Sequence, residues 1–164
     1  MKKIPLKKGY FAIVDDADYL CLMKWKWCAR TSRDGKVYAV RYAGKNFEGK
    51  QVFVYMHRFL NGTPPHLKTD HRDRNTLNNQ RKNLRSATST QNAMNSIGHR
   101  DAVSKFKGVA RNSKWVPGGK NPWIAHFKNR HLGVFPTEES AHAAYIIASK
   151  KEFGEFQSKE TIRA

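Results

Sequence analysis

Cysteine, acidic residues and long apolar segments are all scarce in this chain of 164 residues. The two cysteines, Cys21 and Cys28, cannot build a disulfide framework. They stand seven positions apart with two tryptophans between them, so we expect buried thiols rather than a zinc site. No apolar run approaches the roughly 20 residues of a membrane span, and no signal-peptide core follows Met1. We therefore expect no membrane association, no secretion and a cytoplasmic location.

The scarcity of acid leaves a large positive charge: 31 Lys and Arg stand against 13 Asp and Glu, a formal net charge of +18. Charge of this sign and size points to a polyanion, and nucleic acid is the first candidate because the basic residues run along the whole chain. Residues 102–136 contain seven basic residues and no acid. Since Trp115 and Trp123 interrupt this basic stretch, it predicts a nucleic-acid-binding face.

The apolar pattern of the first half predicts short strands and helices, hence a mixed α+β fold. A helix carrying Tyr19, Leu22 and Trp25 is expected after the acidic residues 15–18, which favour its amino terminus. Segment 66–95 is rich in asparagine, which disfavours long regular elements and favours loops braced by side-chain amides. The predicted strands are residues 9–14, 36–41 and 51–55, and the predicted short helices begin at Met56 and near Thr88.

The last third of the chain predicts three strands and one helix. Thr137 is a candidate helix N-cap, and Gly154 is the expected stop. Alanines and Tyr145 recur at helical spacing between them, so one helix face would lie close on the sheet. Residues 1–95 and 105–164 are predicted to be separate domains joined by a linker at 96–104. The predicted strands are residues 106–111, 123–127 and 131–135, with Leu132, Val134 and Phe135 expected in the core.

Three residues between positions 70 and 92 have the side chains that metal-assisted phosphodiester chemistry needs. The Asp70 carboxylate and the Asn92 amide oxygen would leave most of a Mg²⁺ shell open to water and phosphate. His71 can accept a proton from a water nucleophile. Basic side chains nearby can bind phosphate or offset developing charge; they are Arg72, Arg74 and Arg85. By residue type alone a structural histidine is the commoner outcome, so this pattern leaves both alternatives open.

The ordered set Asp70-His71, Asn83-Leu84-Arg85 and Asn92 resembles the HNH nuclease motif of phage and intron-encoded homing endonucleases. The step of twelve residues from His71 to Asn83 and of nine more to Asn92 agrees with that form. The resemblance implies a ββα-metal unit, with the motif spanning 57–95. It implies Asp70 and Asn92 as ligands of Mg²⁺, for which Mn²⁺ can substitute, His71 as general base, and Asn83 as the brace of the loop that carries the base.

Other positions of the motif carry weaker assignments. Arg72 and Arg85 are predicted to steady the phosphate, which makes the predicted catalytic set His71, Asn83, Arg72 and Arg85. His57-Arg58 resembles a His-Arg pair that precedes the motif in the family, and its role is structural or phosphate-contacting. Arg74 stands where many members have glycine, which puts the geometry of this turn in question. We include His57, Arg58 and Arg74 among the predicted DNA-contacting residues.

Residues 104 to about 157 resemble the ethylene-response-factor (Apetala-two) DNA-binding domain. The resemblance is carried by Phe106-Lys107-Gly108-Val109, Trp123-Ile124-Ala125, His131-Leu132-Gly133-Val134-Phe135, Thr137-Glu138-Glu139-Ser140-Ala141, Ala143-Ala144-Tyr145 and Gly154-Glu155-Phe156. It implies a three-stranded antiparallel sheet that lies in the major groove, with one helix packed behind it. The DNA-contacting residues predicted here are Lys105, Lys107, Arg111, Lys114, Trp115, Trp123, Lys128 and Arg130.

Taken together, these patterns predict a Mg²⁺-dependent DNA endonuclease that is site-specific, of the homing type, and located in the cytoplasm of a bacterial or phage-infected cell. One ββα unit has one cutting centre, so each chain is expected to nick double-stranded DNA, as a monomer or a weak dimer. The alternative is a non-catalytic, sequence-specific DNA-binding protein in which the HNH unit is only structural.

Overall fold

The computed structural model describes residues 1–96 and 102–157. Within these residues the fold is mixed α+β, with ten strands in four small antiparallel sheets and four α-helices. The chain divides into two compact units, Met1–Asn92 and Ala93–Ala164. The predicted linker includes residues 97–101, which lie outside the described residues, and the domain limits at 95 and 105 stay a prediction.

The first unit contains three of the sheets. Strand β1 pairs with β2, β3–β4–β5 form a three-stranded sheet, and β6 pairs with β7. The last helix of the motif, α3, begins in this unit. The elements are β1 Lys2–Pro5, β2 Phe11–Val14, α1 Asp16–Leu22, β3 Cys28–Thr31, β4 Val37–Lys45, β5 Gln51–Tyr55, α2 Met56–Asn61, β6 Lys68–His71, β7 Leu84–Ala87 and α3 Ser89–Met94.

One apolar core joins these elements. The sequence pattern does not predict β1, which contributes Ile4 opposite Ala12 of β2 in the antiparallel register. Both side chains are buried. Successive residues of a strand point to opposite faces, so a single apolar residue of this short strand is enough to contact the core. The buried apolar residues of this core are Ile4, Leu6, Ala12, Val14, Leu22, Trp27, Ala39, Met56, Leu60 and Leu84.

Helix α1 is shorter than its sequence predicts. It ends at Leu22, and the prediction that it reaches Trp25 is wrong. The indole N–H of Trp27 donates to the Leu22 carbonyl at 2.8 Å, which satisfies a carbonyl of the last turn and lets the chain leave the helix. Asp15 precedes the helix without capping it, because its carboxylate accepts hydrogen bonds from Gln80 and Arg81 instead.

The prediction that both cysteines are buried is also wrong. Cys21 is exposed on α1, and Cys28 is half-buried in β3. The side of α1 that faces the core is occupied by Leu22 and Tyr19, which leaves Cys21 outside it. Both thiols are free in the structure.

The second unit contains a three-stranded antiparallel sheet with one helix packed on it. The strands are β8 Val109–Arg111, β9 Trp123–Phe127 and β10 Arg130–Phe135, in the order β8–β9–β10, and the helix is α4 Glu138–Phe153. The predicted strand 106–111 is wrong at its start, because Phe106 packs into the core ahead of β8. Val134 is 45% exposed, contrary to its predicted core position, since it points to the face of the sheet opposite α4.

The predicted ends of α4 are confirmed. The Thr137 hydroxyl accepts a hydrogen bond from the Ser140 N–H at 3.1 Å, and Ser140 returns a bond to the backbone of Thr137. Gly154 follows the last residue of the helix. Ala141 and Tyr145, spaced as the sequence predicts, are buried against the sheet.

Candidate functional site

The β6–β7 hairpin places the predicted acid and base at the end of one strand. Asp70 lies directly opposite Arg85 in the antiparallel register, and His71 lies opposite Leu84. After β7 the chain turns through Thr88 into α3, which carries Asn92. The predicted base and one predicted ligand therefore lie on β6, and the other predicted ligand lies on α3, with β7 between these two elements in the chain.

Asp70 and Arg85 form a buried ion pair. Their side chains are only 6% and 7% exposed, and the Arg85 Nε and Nη2 atoms donate to Asp70 Oδ2 at 2.8 and 2.7 Å. The sequence predicts Arg85 as a guanidinium that steadies phosphate. The structure instead aims it at the carboxylate, where it holds the orientation of Asp70 through a charge-assisted contact between adjacent strands.

His71 is buried beside a second histidine. Burial lowers the pKa of His71, and this effect is opposed by a hydrogen bond with Asn79 and by the nearby carboxylates of Asp73 and Asp70. The ring of His57 stands edge-on to the His71 ring, with 5.1 Å between the ring centroids. Burial, together with the charges of His71 and Arg58, lowers the pKa of His57 to about 3. Both rings therefore sit in a site that disfavours imidazolium.

Asn83 crosses the β6–β7 loop. Its Nδ2 donates to Asp73 Oδ1 and to the Asn78 carbonyl, both at 2.8 Å, and its Oδ1 accepts from the Asp73 N–H at 3.0 Å. The Asn78 side chain adds a bond to Asp73 Oδ2 at 2.7 Å. Asp73 thus accepts several hydrogen bonds of this loop, although the sequence analysis does not single it out; an aspartate in a polar, asparagine-rich segment is typical of turns closed by side chains. This network holds the segment that follows His71.

Arg74 occupies a left-handed backbone conformation, with φ of +64°. Its N–H donates to the His71 carbonyl at 2.9 Å, so it closes the turn that begins at the candidate base. This conformation favours glycine, which gives a physical reason for the glycine that resembling sequences carry at this position. The residue before Arg74, Asp73, is held by the Asn83 side chain, whose Nδ2 donates to Asp73 Oδ1.

The His-Arg pair upstream of the motif is internal to the fold. His57 is buried in α2 and contacts His71. Arg58 donates to three backbone carbonyls of the loop that leads to β6, those of Thr63, Pro64 and Leu67. Its guanidinium thereby shapes the approach to β6, a contact that the predicted role in DNA binding does not require.

The amino-terminal residues hold the same loop from its other side. The Asn79 N–H donates to the Ile13 carbonyl at 2.7 Å, and the Ile13 N–H donates to the Leu77 carbonyl at 2.8 Å. Arg81 forms a bidentate ion pair with Asp18 of α1: its Nη2 donates to Oδ1 at 2.7 Å and its Nε donates to Oδ2 at 2.9 Å. The sequence gives no signal for these contacts, since they join positions more than sixty residues apart.

The donor set fits a sparsely ligated hard cation. Among the residues that the structure describes, no group of three or more His, Cys, Asp or Glu side chains is placed to hold a metal ion. Mg²⁺ in phosphate chemistry characteristically takes one or two carboxylates and completes its shell with water and phosphate oxygens. Asp70 and the half-buried Asn92 are oxygen donors of that kind, on the first strand and on the helix of one strand–strand–helix segment.

Several predicted DNA-contacting residues of the second unit are engaged within the fold. The Lys107 ammonium donates to the carbonyls of Ala93 and Ser96, and burial lowers its pKa to about 8. Lys128 and Arg130 both pair with Glu152 of α4, with Arg130 Nη2 at 3.6 Å from Glu152 Oε2. These three basic side chains therefore already have hydrogen-bond or ion-pair partners within the second unit.

The remaining basic residues of this set are exposed, whereas Trp115 is half-buried and Trp123 packs against the core of the unit. The Arg111 guanidinium stacks on two indoles, with its Cζ 4.9 Å from the Trp115 ring centroid and 5.1 Å from that of Trp123. Lys105 and Lys114 are exposed. Arg111 lies on the same side of the sheet as buried Val109, because residues two apart in a strand share a face.

The sheet face opposite α4 carries residues that the sequence analysis misses. His126 of β9 and His131 of β10 are register partners on this face, with ring centroids 5.2 Å apart, and both are exposed. Strand alternation is the signal that points to them: Ala125 and Phe127 are buried, so His126 between them faces outward.

Comparison with known proteins is consistent with the site. The chain is 32% identical over 165 residues to a protein of Acanthamoeba polyphaga mimivirus that is named an uncharacterized HNH endonuclease, and the alignment covers 94% of this chain and 77% of that protein. No protein-family model matches the chain, and no solved structure matches it. The chain belongs to the HNH endonuclease family. The resemblance of its second unit to the Apetala-two domain has no support from these comparisons and stays a prediction. No helix in the described part of the chain is long and apolar enough to cross a membrane.

Proposed function

We propose that the protein is a Mg²⁺-dependent DNA endonuclease that uses His71 as its general base. The observation that supports this proposal is the strand–strand–helix order of β6, β7 and α3, with Asp70 and His71 at the end of β6 and Asn92 in α3. Membership of the HNH family supports the same conclusion. The net charge of +18 supplies the attraction for DNA.

In this mechanism the chain orients a water molecule and takes its proton. His71 accepts the proton on an imidazole nitrogen as the water attacks the scissile phosphorus, and the Asn83–Asp73 network prevents the loop behind His71 from shifting. Arg85 keeps the Asp70 carboxylate in one direction. Asp70 and Asn92 would hold Mg²⁺, which when bound polarises the phosphate and stabilises the leaving oxygen. Arg72 follows His71 directly and is exposed, and its guanidinium is the one that we assign to the phosphate.

The second unit is proposed to bind the duplex next to the cut. Its stacked Arg111, its exposed Lys105 and Lys114 and the lack of acid in residues 102–136 support this role. Because one chain has one such site, each monomer nicks a single strand. Efficient linearisation of a plasmid by a protein that stays monomeric on DNA would contradict this point.

Cleavage of supercoiled plasmid DNA in the presence of Mg²⁺ tests the proposal. A general base contributes about 10²- to 10⁴-fold to a rate, so His71→Ala should reduce nicking by at least about 10²-fold. His66→Ala is the matched control, because His66 is an exposed histidine of the same unit outside the site. Equal cleavage by the wild type and His71→Ala would refute the role of His71. Absence of cleavage with Mg²⁺ or Mn²⁺ would favour the alternative, a non-catalytic DNA-binding protein.

A further inference from the structure

One face of the β3–β4–β5 sheet is lined by aromatic side chains. Alternate residues of a strand point to the same face, so Tyr38 and Tyr42 of β4 share a face, as do Phe53 and Tyr55 of β5. The register sets Tyr42 directly opposite Phe53, and it sets Arg30 of β3 opposite Tyr38. We call this set, Arg30, Tyr38, Tyr42, Phe53 and Tyr55, the aromatic face.

The core of the unit lies on the other side of this sheet. Ala29 and Ala39, which are register partners, pack into the core cluster, and Arg41 stacks on Trp25 with its Cζ 4.9 Å from the ring centroid. On the aromatic face, by contrast, Tyr42 is 53% exposed and Arg30 is exposed. Tyr38, Phe53 and Tyr55 are half-buried, and Val40, which lies on the same face, is buried, so the part of the face that is accessible to a ligand is the end around Tyr42 and Arg30.

The aromatic face leads to the candidate base. The Tyr38 ring lies 5.9 Å from that of Tyr55, 5.4 Å from that of His57 and 6.4 Å from that of His71, measured between centroids. At the other end, Tyr42 and Phe53 are 6.1 Å apart in an edge-to-face arrangement. All of these residues belong to the first unit, so the aromatic surface and the site are parts of one compact body.

The positive charge of this face is available to an anion. The Arg30 guanidinium stacks on Phe53, with its Cζ 4.4 Å from the ring centroid. None of the ion pairs among the described residues involves Arg30. A guanidinium held by an aromatic ring keeps its N–H edge directed outward, which suits a phosphate oxygen beside a stacked base.

We propose that the aromatic face binds an unpaired stretch of the DNA strand that passes His71. Aromatic rings gain their stacking energy from the flat faces of bases, and those faces are accessible only when the bases are not stacked within a duplex. Rings on neighbouring strands with an adjacent arginine form a surface on which successive bases stack while Arg30 meets the backbone. The inference rests on the proposed function in that the bound strand is the substrate strand.

Fluorescence anisotropy with the full-length protein, without divalent metal, tests this inference. Two labelled probes are compared: a blunt DNA duplex, and the same duplex with a single-stranded arm. Loss of one stacking partner should weaken binding of the armed probe by about tenfold in Tyr42→Ala and in Phe53→Ala, with little change for the blunt duplex. Val52→Ala is the matched control, because Val52 is an exposed apolar residue on the opposite face of β5.

Two results would overturn the inference. Unchanged binding of the armed probe by both variants would show that the face does not contact the arm, and equal losses on both probes would assign the face to the duplex. Thermal unfolding of each variant identifies a folding defect, and Tyr42→Phe, which keeps the ring, should bind the armed probe like the wild type. Since no metal is present, failure of the nuclease proposal leaves these results unchanged.

Discussion

Arg85 shows how a single contact changes the role of a residue. The pair with Asp70 is almost completely desolvated, so each charge depends on its partner. A buried pair of this kind contributes little over an apolar pair of similar volume, yet removing one partner leaves an uncompensated charge.

A double-mutant cycle on Asp70 and Arg85 tests this dependence. Arg85→Met should lower the free energy of unfolding by about 3 kcal/mol, because it leaves the Asp70 carboxylate buried without its guanidinium. Asp70→Asn combined with Arg85→Met should cost clearly less than the sum of the single changes. Urea denaturation measures all four proteins, and strictly additive effects would show that the pair is not coupled.

His57 makes the stability of the first unit depend on pH. Its pKa is about 3 in the folded chain, against about 6.5 for a free imidazole. Between these values the unfolded state binds the proton and the folded state does not, so the free energy of unfolding falls as the pH falls. The slope approaches about 1.4 kcal/mol per pH unit for this one group.

The variant His57→Phe removes that group and keeps a ring beside His71. Between about pH 6.5 and pH 4.5 it should lose about 2 kcal/mol less stability than the wild type. Urea denaturation at both pH values gives the difference, and His66→Gln, at an exposed histidine, should behave like the wild type. Parallel pH dependences for His57→Phe and the wild type would contradict the burial of an uncharged imidazole.

At the scale of elements, the sheet and helix of the second unit meet at a glycine. Gly108 has φ of +77°, and a Cβ placed on it would lie 2.0 Å from Tyr145 Cδ2 of α4. No side chain fits at that distance, so the approach of α4 to the chain entering β8 depends on glycine at this position. The sequence alone shows Gly108 as part of a motif. The structure shows that glycine is required there because the Tyr145 ring occupies the space of a Cβ.

Gly108→Ala should therefore destabilise the second unit by more than its backbone conformation explains. Gly118 provides the control, since it has φ of +88° and open space where a Cβ would be. Gly118→Ala should cost about 1 kcal/mol, the usual effect of alanine at positive φ, and Gly108→Ala several times more. Thermal unfolding of the two variants compares them, and equal shifts would show that Tyr145 moves aside without cost.

The elements around the site illustrate which parts of a fold can be predicted. The capped helix α4 follows from local signals, because Thr137 and Ser140 are neighbours in sequence. The order of β6, β7 and α3 could be expected only from resemblance, since an asparagine-rich segment gives little periodicity. The end of α1 at Leu22 escapes prediction because a tryptophan five residues away supplies the deciding hydrogen bond.

At the scale of the molecule, the basic residues behind the net charge of +18 differ in whether they have a partner within the fold. Arg81, Arg85, Lys128 and Arg130 pair with carboxylates inside the fold, and Lys107 is used by backbone carbonyls. We expect exposed residues such as Lys114 to be the ones that contact DNA. DNA binding should depend strongly on salt, because each neutralised phosphate releases counterions.

The salt dependence of duplex binding distinguishes these two kinds of lysine. The slope of log affinity against log salt should fall by about one for Lys114→Ala, because one phosphate contact is lost. Lys107→Met should leave the slope unchanged, since its ammonium is bonded to Ala93 and Ser96. Anisotropy titrations at several salt concentrations measure the slopes, and a shallower slope for Lys107→Met would place that ammonium on the DNA.

By itself, the sequence predicts a polyanionic partner from its net charge and an α+β composition from its local patterns, and its resemblance to the HNH motif singles out Asp70, His71, Asn83 and Asn92. Charge, local pattern and motif resemblance are all properties of a linear chain. Only the tertiary structure decides that Arg85 faces Asp70, that His57 packs on His71, and that Ile13 and Asp18 hold the loop of the site. Each of these depends on strand register or on contacts between distant positions, which exist only once burial brings them together.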